Sequence, residues 1–451
     1  MNAECARGVH AQLKQDETRC KPGNGVVTIR CGKNHTQMTE HAAPPAGAKP
    51  SFAALRHGDF RVYLVTTSAA MMADNIEHVI SYWVMFELFR SPALAGFAVL
   101  SHWLPFLFLS VYFGALADRF DCRRIIQVAM LLYMGVSLAW AILFYTETIE
   151  IWHAAVLLVI HGIAGVLWAP ASQLLIHDIV GRESLVSAVR LNATGRQFGV
   201  FLGPAVGGGL MLALGPAAGL IVNVLIYLPL TWWLLKVPYG ANRHRAGTAV
   251  DGGGFGDAVK AMREVSGNRI ILSMILLAGI SSLLVGNAFL AQMPEYAHDL
   301  GTENTDFSYA VLLAANAAGA FVGGMVLEVR GFLRATPLTA IVLCIIWCFI
   351  VAGFAAATAY HLAVVLMFVA GFLYLSYSSM AQALVQLESP VHLRGRLIGL
   401  YQMSNNGLRA FSGITVGLIG SLIGIHWSLA LSAVLLLAVT VVLLAFSMRT
   451  A

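Results

Sequence analysis

Apolar residues run along this chain in long blocks, separated by short clusters of charged residues, glycine and proline. A helix needs about 20 consecutive apolar residues to cross the hydrocarbon core of a bilayer. Blocks of that length lie near 60–89, 93–113, 124–145, 151–173, 190–214 and 217–235. After a polar stretch they resume near 270–293, 308–328, 335–357, 361–385, 397–423 and 427–447. The pattern predicts an all-α integral membrane protein of about twelve spans in two groups of six. Residues 51–236 make the first half and 269–451 the second. An even number of spans puts both ends of the chain on one side of the membrane.

Basic residues choose that side, because Lys and Arg collect in cytoplasmic loops. Arg119, Arg123, Arg124, Arg182, Lys236, Arg243, Arg245, Lys260, Arg263, Arg269, Arg330, Arg334, Arg394 and Arg396 all fall in the even-numbered connections. The opposite connections hold Arg90 among acidic residues such as Glu147, Glu150, Glu295, Asp299, Glu303 and Asp306. Both termini are therefore expected in the cytoplasm, with the protein in the cell (inner) membrane. Residues 1–50 are polar and lack the apolar run of a secretory signal, so they read as a cytoplasmic tail. Met38 opens a stretch suited to being a start, and both starts stand. Residues 237–268 link the halves. Phe255, Val259 and Met262 recur there at helical spacing, which fits either a short helix lying on the membrane surface or a solvated connector.

Composition narrows the class. Of 451 residues, 58% are hydrophobic and 11% charged, with a mean hydropathy of +0.74. Soluble domains carry about 25% charged residues. The net charge of +5 is spread over short loops, so no nucleic-acid surface is expected. The six cysteines are too scattered for a disulfide framework, and the Cys344/Cys348 pair reads as packing. No G-x-x-x-x-G-K-[ST] loop, H-E-x-x-H or G-x-S-x-G string occurs, which argues against an ATPase or a membrane enzyme. The expected partners are the lipid bilayer and a small-molecule substrate, with the chain as a monomer. No cofactor is expected beyond a proton gradient.

Three motifs sharpen this. Span 2 ends G-A-L-A-D-R-F-D-C-R-R, from Gly114 through Asp118, Arg119, Arg123 and Arg124, and span 8 echoes it as G-M-V-L-E-V-R-G-F-L-R from Gly324. Such an echo fits two halves related by duplication. In span 5, Gly199-V-F-L-Gly203-Pro204-A-V-Gly207-Gly208 reads G-x-x-x-G-P-x-x-G-G. The first string resembles motif A of the major facilitator superfamily, and the second resembles the antiporter motif of its drug-efflux members. With S-F-A-A-L-R-H-G-D-F-R and L-R-G-R-L-I-G-L-Y, the chain is similar to the branch of macrolide-type and enterobactin-type exporters, the transmembrane secretion effector family. The resemblance covers about residues 52–447. It implies the major facilitator fold, export of a drug or siderophore by proton antiport, and a cytoplasmic latch built on motif A. In that latch Asp118 faces the start of span 11, and Arg119, Arg123 and Arg124 pair with Asp178 or Glu183. Cys122 and Asp121 depart from the usual motif A, and Leu158 stands where many antiporters carry an arginine.

The candidate chemistry lies at membrane depth, where a charge costs about 2.5–3.5 kcal/mol on insertion scales. Asp74, Asn75, Glu77 and His78 interrupt span 1, and three- and four-residue spacing puts Asp74, Glu77 and His78 on one helical face. Burial disfavours a charged carboxylate, so such a group can take and release a proton as access alternates. Arg196 in span 5 and Arg409 in span 11 are the candidate counter-charges for Asp74, with Arg196 reaching the headgroups as the other reading. Trp83, Trp103, His161, Asn192, Gln197, Asn287, Gln292, Gln402, Asn405 and Asn406 are candidates to line a cavity between the halves. His161 has no second His or carboxylate at local metal-ligand spacing, so no metal site is expected. An amphipathic cation would use Asp74 and Glu77, and an anionic siderophore Arg196 and Arg409. An importer or uniporter of the same fold is the alternative reading, and a membrane enzyme or sensor the more distant one.

Overall fold

The apolar blocks become helices, with polar side chains capping several starts and glycine or amide bonding marking several ends. The computed structural model describes residues 51–89, 92–239, 255–286, 293–300, 305–330, 333–412, 416 and 419–448. The expected tail 1–50, with Cys5, Cys20 and Cys31, lies outside the described residues. No strand occurs among those described. The first half contains α1 (Gly58–Phe89), α2 (Pro92–Arg119) and α3 (Cys122–Thr146). A 64-residue helix, Ile151–Leu214, follows, then α6 (Pro216–Lys236). The linker carries α7 (Phe255–Glu264). The second half contains α8 (Arg269–Leu284), α9 (Met293–Asp299), α10 (Thr305–Arg330), α11 (Pro337–Ala355), α12 (Tyr360–Glu388), α13 (Arg394–Asn405), α14 (Ile419–Ile423) and α15 (Ile425–Met448).

Local chemistry explains these bounds. Asp121 caps α3 by accepting from the Arg123 N–H at 2.9 Å, Asn268 caps α8 and Thr336 caps α11. Each satisfies a backbone donor that the first turn leaves open. A helix of 64 residues would be about 96 Å long at 1.5 Å per residue, far more than one bilayer. It is two limbs, α4 (151–180) and α5 (182–214), separated at Gly181, whose φ of 68° and ψ of 179° suit glycine alone. Span 4 thus runs past its expected end at 173. Polar His177 and Asp178 do not stop a helix; the positive φ does.

Two expected spans differ more. Span 11, expected unbroken over 397–423, stops at Asn405 and continues as a 3-10 turn, Gly407–Phe411. The amides there bond to one another: Asn406 Nδ2 donates to Gln402 Oε1 at 2.9 Å and Asn405 Nδ2 to Asn406 Oδ1 at 3.2 Å. Asn favours such local bonding over the helix interior. Span 7 ends its described helix at Leu284, before Gly286 with φ 49°.

Eight described helices are long and apolar enough to cross a membrane, the two-limbed one counted once. Side chains such as Leu212, Leu422 and Trp427 are 86%, 79% and 74% exposed. Apolar surface on that scale belongs against lipid. The chain is a multi-pass membrane protein. Each half has its own apolar core, one set around Ile126, Leu174 and Trp140, the other around Met274, Ile341 and Trp347. Glycine contacts repeat between the halves. A Cβ on Gly162 of α4 would lie 2.0 Å from the Ser101 carbonyl of α2, and one on Gly371 of α12 would lie 1.9 Å from the Asn316 carbonyl of α10. The fourth helix of each half therefore presses on its second in the same way. In the linker, the short helix forms, with Val259 exposed and Met262 packed on the second half's core.

Candidate functional site

A cavity of about 550 Å³ opens between the halves. From α1 it is lined by Asp74, Asn75 and His78, from α2 by His102 and Trp103, and from α5 by Asn192, Arg196 and Gln197. The second half contributes Asn316, Tyr374, Asn405, Asn406 and Arg409. Of the expected lining residues, His161 is buried behind the wall and Trp83 does not reach it either. Trp83 is 52% exposed, nine residues beyond Asp74 and so half a helical turn away, on the face turned to lipid. Gln402 is buried behind the cavity and bonded to Asn406. Asn287 and Gln292 lie outside the described residues.

The polar face of α1 meets a histidine. His161 of α4 is 3% exposed and sits between both carboxylates. Its Nδ1 lies 2.7 Å from Glu77 Oε1 and its Nε2 lies 2.9 Å from Asp74 Oδ1. Glu77, itself 2% exposed, also accepts from Ser137 Oγ of α3, and Asn223 Nδ2 of α6 donates to that hydroxyl at 3.1 Å. His78 Nδ1 stands 3.8 Å from Asp74 Oδ2. The His78 ring lies edge-on to His102 at 5.0 Å and to His161 at 4.6 Å. Tyr133 stacks on Tyr227 and turns its edge to His161. Glu77 is thus held by three neighbouring helices, while Asp74 faces the cavity.

Backbone features place these groups. Pro105 inside α2 has no N–H, so the Ser101 carbonyl four residues earlier lacks its helical donor. Gly162 settles against that oxygen, which brings His161 beside His102. On the other side, a Cβ on Gly199 would come within 2.7 Å of the Ser68 carbonyl and one on Gly203 within 2.4 Å of Asn75 Cβ. Gly207 continues the contact at Ile76. The glycine motif is therefore the α1–α5 seam, with Gly208 facing open space and Pro204 inside the helix.

Three expectations need correction. Asp74 does not pair with Arg196 or Arg409: among the described residues its ion-pair neighbours are the imidazoles of His161 and His78. Arg409 instead donates to the Tyr374 hydroxyl and lies 5.3 Å over the Trp103 ring. Arg196 lines the cavity rather than the headgroup region. His161, set aside as a ligand for want of local partners, gains His78, His102 and two carboxylates from other helices. Sequence spacing could not show this, because the partners lie on three helices. His102 was passed over entirely, although a histidine inside an apolar span was signal enough to single it out.

At the motif-A end Asp118 meets the start of α13, whereas Arg123 and Arg124 bond to Asp121, the Val237 carbonyl and Gln127 in place of the expected Asp178 or Glu183. Asp118 Oδ1 accepts from the Gly395 N–H at 2.6 Å and Oδ2 from the Arg396 N–H at 3.0 Å, an anion on a helix N-terminus. Gly114 and Gly395 lie so close that a Cβ on either would meet the other's carbonyl at 2.3 Å. Arg123 bonds to Asp121 at 2.6 Å and to the Val237 carbonyl, and Arg124 to Gln127 at 2.9 Å. Hydrogen bonding to Asp121 holds the Arg123 guanidinium above its ordinary pKa. The echo in α10 makes a matching contact: Ser187 donates to Glu328, and Arg190 Nη2 donates to the Leu333 carbonyl at 2.9 Å.

The family model described as transmembrane secretion effector matches residues 49–451. The chain belongs to that family. It is 24% identical over 191 residues to the staphyloferrin A transporter of Staphylococcus aureus, which covers 40% of this chain and 48% of that one. It is 32% identical over 122 residues to MdtD of Pectobacterium atrosepticum, a protein named for multidrug resistance, covering 27% and 25%. The chain spans about half, or less, of the length of these relatives. The fold is that of the major facilitator superfamily. The E. coli fucose:proton symporter FucP superposes with a TM-score of 0.68 at 14% identity, covering 87% of this chain and 98% of that one. The human organic anion transporter MFSD10 gives 0.67 at 13%, covering 85% and 99%. Family and fold are those of membrane transporters and not of enzymes.

Proposed function

We propose that this chain is a secondary active transporter of the cell membrane, exporting an amphipathic small molecule by proton antiport and alternating access. The observation that carries the reading is the Asp74–His161–Glu77 cluster, buried within one half and opening through Asp74 onto the cavity between the halves. Two carboxylates around one imidazole form a site that can hold a proton, and a change in access at Asp74 would change the proton's exit. His161 lies one turn beyond Leu158, where many antiporters place an arginine, and it supplies a titratable cation in that arginine's stead. The α2–α13 seam closes the end that bears Asp118 and the basic turn, the cytoplasmic end by the distribution of Lys and Arg. That arrangement matches an outward-facing state.

The substrate is a drug-like or siderophore-like molecule with an anionic part. The cavity offers Arg196 and Arg409 to such a group, beside the aromatic faces of Trp103 and Tyr374. The similarity to a staphyloferrin A transporter and to a protein named for multidrug resistance supports both substrate classes. Proteoliposomes with an imposed pH gradient test the reading, using a panel of siderophores and drugs. Uptake into inside-out vesicles acidified in the lumen is expected, with Asp74→Asn folded but without gradient-driven movement. Full activity of Asp74→Asn removes the coupling role, and movement of substrate along with the proton instead of against it makes the chain a symporter.

A further inference from the structure

His78 and His102 stand beside the proton cluster and, with its His161, form a larger donor set. His78, His102 and His161 come from α1, α2 and α4, and one ring nitrogen of each lies within 4.8 Å of the others. Asp74 joins them, with Oδ1 2.9 Å from His161 Nε2 and Oδ2 3.8 Å from His78 Nδ1. Asp74 Oδ1 and His161 Nε2 face each other at 2.9 Å, and His102 Nδ1, beside them, is buried with no hydrogen-bond partner among the described residues. A buried ring nitrogen left unbonded is costly, and a ligand that His102 Nδ1 could reach would satisfy it.

Glu77 and Ser137 orient this set from behind. His161 Nδ1 is 2.7 Å from Glu77 Oε1, and Glu77 is itself anchored by Ser137. A proton on Nδ1 is donated to Glu77, and Nε2 then faces Asp74 Oδ1, which borders the cavity. An N–H on Nε2 would bridge that 2.9 Å gap, and a metal cation binding here would take that proton's place. A carboxylate–histidine pair of this form is the usual outer shell of a metal-bound imidazole.

We infer that His78, His102, His161 and Asp74 form a binding site for a divalent transition-metal cation, presented to the substrate cavity. Three imidazoles and one carboxylate suit Zn²⁺, Co²⁺, Ni²⁺ or Cu²⁺, whereas Mg²⁺ and Ca²⁺ prefer oxygen throughout. Tetrahedral ligation at about 2.0–2.1 Å needs ring nitrogens about 3.4 Å apart, so the rings must close by about 1.4 Å. His161 is packed and fixed, while His78 and His102 border the cavity and have room to turn. Two carboxylates, Asp74 and Glu77, balance the charge of the cation. Arg196 and Arg409, which face the same cavity, oppose a bare cation and favour one carried by an anionic chelator. The cation reaches the protein either free or within such a chelate; both present the same metal to the same nitrogens.

The site shares Asp74 and His161 with the proton cluster, but equilibrium binding tests it without any gradient, so it stands or falls apart from the direction of transport. The full chain, purified without a histidine tag and with Cys5, Cys20 and Cys31 changed to Ser, is titrated with Co²⁺ alone and with the 1:1 Co²⁺–nitrilotriacetate complex. Expected is one saturable site with strengthened visible absorption, as four-coordinate Co²⁺ shows, in at least one arm. The arm that binds names the source: the bare ion or the chelate. His78→Gln and His102→Gln, checked for unchanged thermal unfolding, should each weaken that site at least about ten-fold, and Glu77→Gln should weaken it by about 10–100-fold as an outer-shell change. Binding should release protons and weaken as the pH falls, because protons compete for the same imidazoles. The groups facing the site, Tyr82, Tyr133 and Tyr227 with the two arginines, do not titrate near neutrality in free solution. No binding in either arm, or binding that survives both His→Gln changes, overturns the assignment.

Discussion

At the scale of the residue, the centre of this protein is a carboxylate that no arginine answers. Helical spacing alone puts Asp74, Glu77 and His78 on one face of α1, and the structure keeps them there. It divides their tasks by depth. Asp74 meets the cavity, whereas Glu77 is buried between α1, α3 and α4 with His161 and Ser137 as donors. Glu77→Ala leaves those donors without an acceptor, and breaking a buried pair costs about 3–5 kcal/mol. A lowered unfolding temperature in detergent should show it, with Glu77→Gln recovering much of the loss. An unfolding temperature equal to that of the parent would mean Glu77 is not part of the pair. The identity of Asp74's partner was not legible beforehand. Arg196 and Arg409 are the strong charges in the sequence, but both serve the cavity wall.

At the scale of the element, the G-x-x-x-G-P-x-x-G-G string tells the most. Its spacing marks one face of α5 in the sequence, and the structure supplies what that face touches: the α1 backbone from Ser68 to Ile76. The same seam fixes Asn75 and, through α1, the aim of Asp74. Gly203→Ala would place a methyl carbon 2.4 Å from Asn75 Cβ; overpacking of that kind costs about 1–3 kcal/mol and should reduce transport and thermal stability together. Gly208→Ala, which meets nothing within 4 Å, should change neither. Equal effects from the two would show that the motif does not work through packing. Helix ends were less legible than helix existence. Gly181 and the Asn405–Asn406 pair end helices through φ and amide bonding, and neither lowers hydropathy enough to be seen as a break.

At the scale of the whole molecule, the halves are held at one end by Asp118 on the start of α13 and by glycine-to-backbone contacts around it. Hydrogen bonds from backbone N–H groups to a carboxylate contribute about 1.5–3 kcal/mol. Asp118→Ala should therefore move the balance of conformations by ten-fold or more toward opening at this end. Distances between spin labels on Phe120 and Val391, measured in the parent and the variant, read that shift. An unchanged distance distribution would leave Asp118 with no latching role. The two-half plan was visible from span counts and from the echo of motif A, and Gly162 and Gly371 repeat one contact in each half.

By itself the sequence determined that the chain is built of membrane helices, how they group, which end is basic, and which faces carry glycine or charge. These follow from composition and from a helical period that acts over neighbouring residues. Only the tertiary structure decided that His161 stands between Asp74 and Glu77, that His102 joins His78, and that Trp83 faces lipid. The period gives each helix its faces but not the helix that each face meets. That choice rests on close backbone approaches at Gly162, Gly199 and Gly203, between segments far apart in the chain.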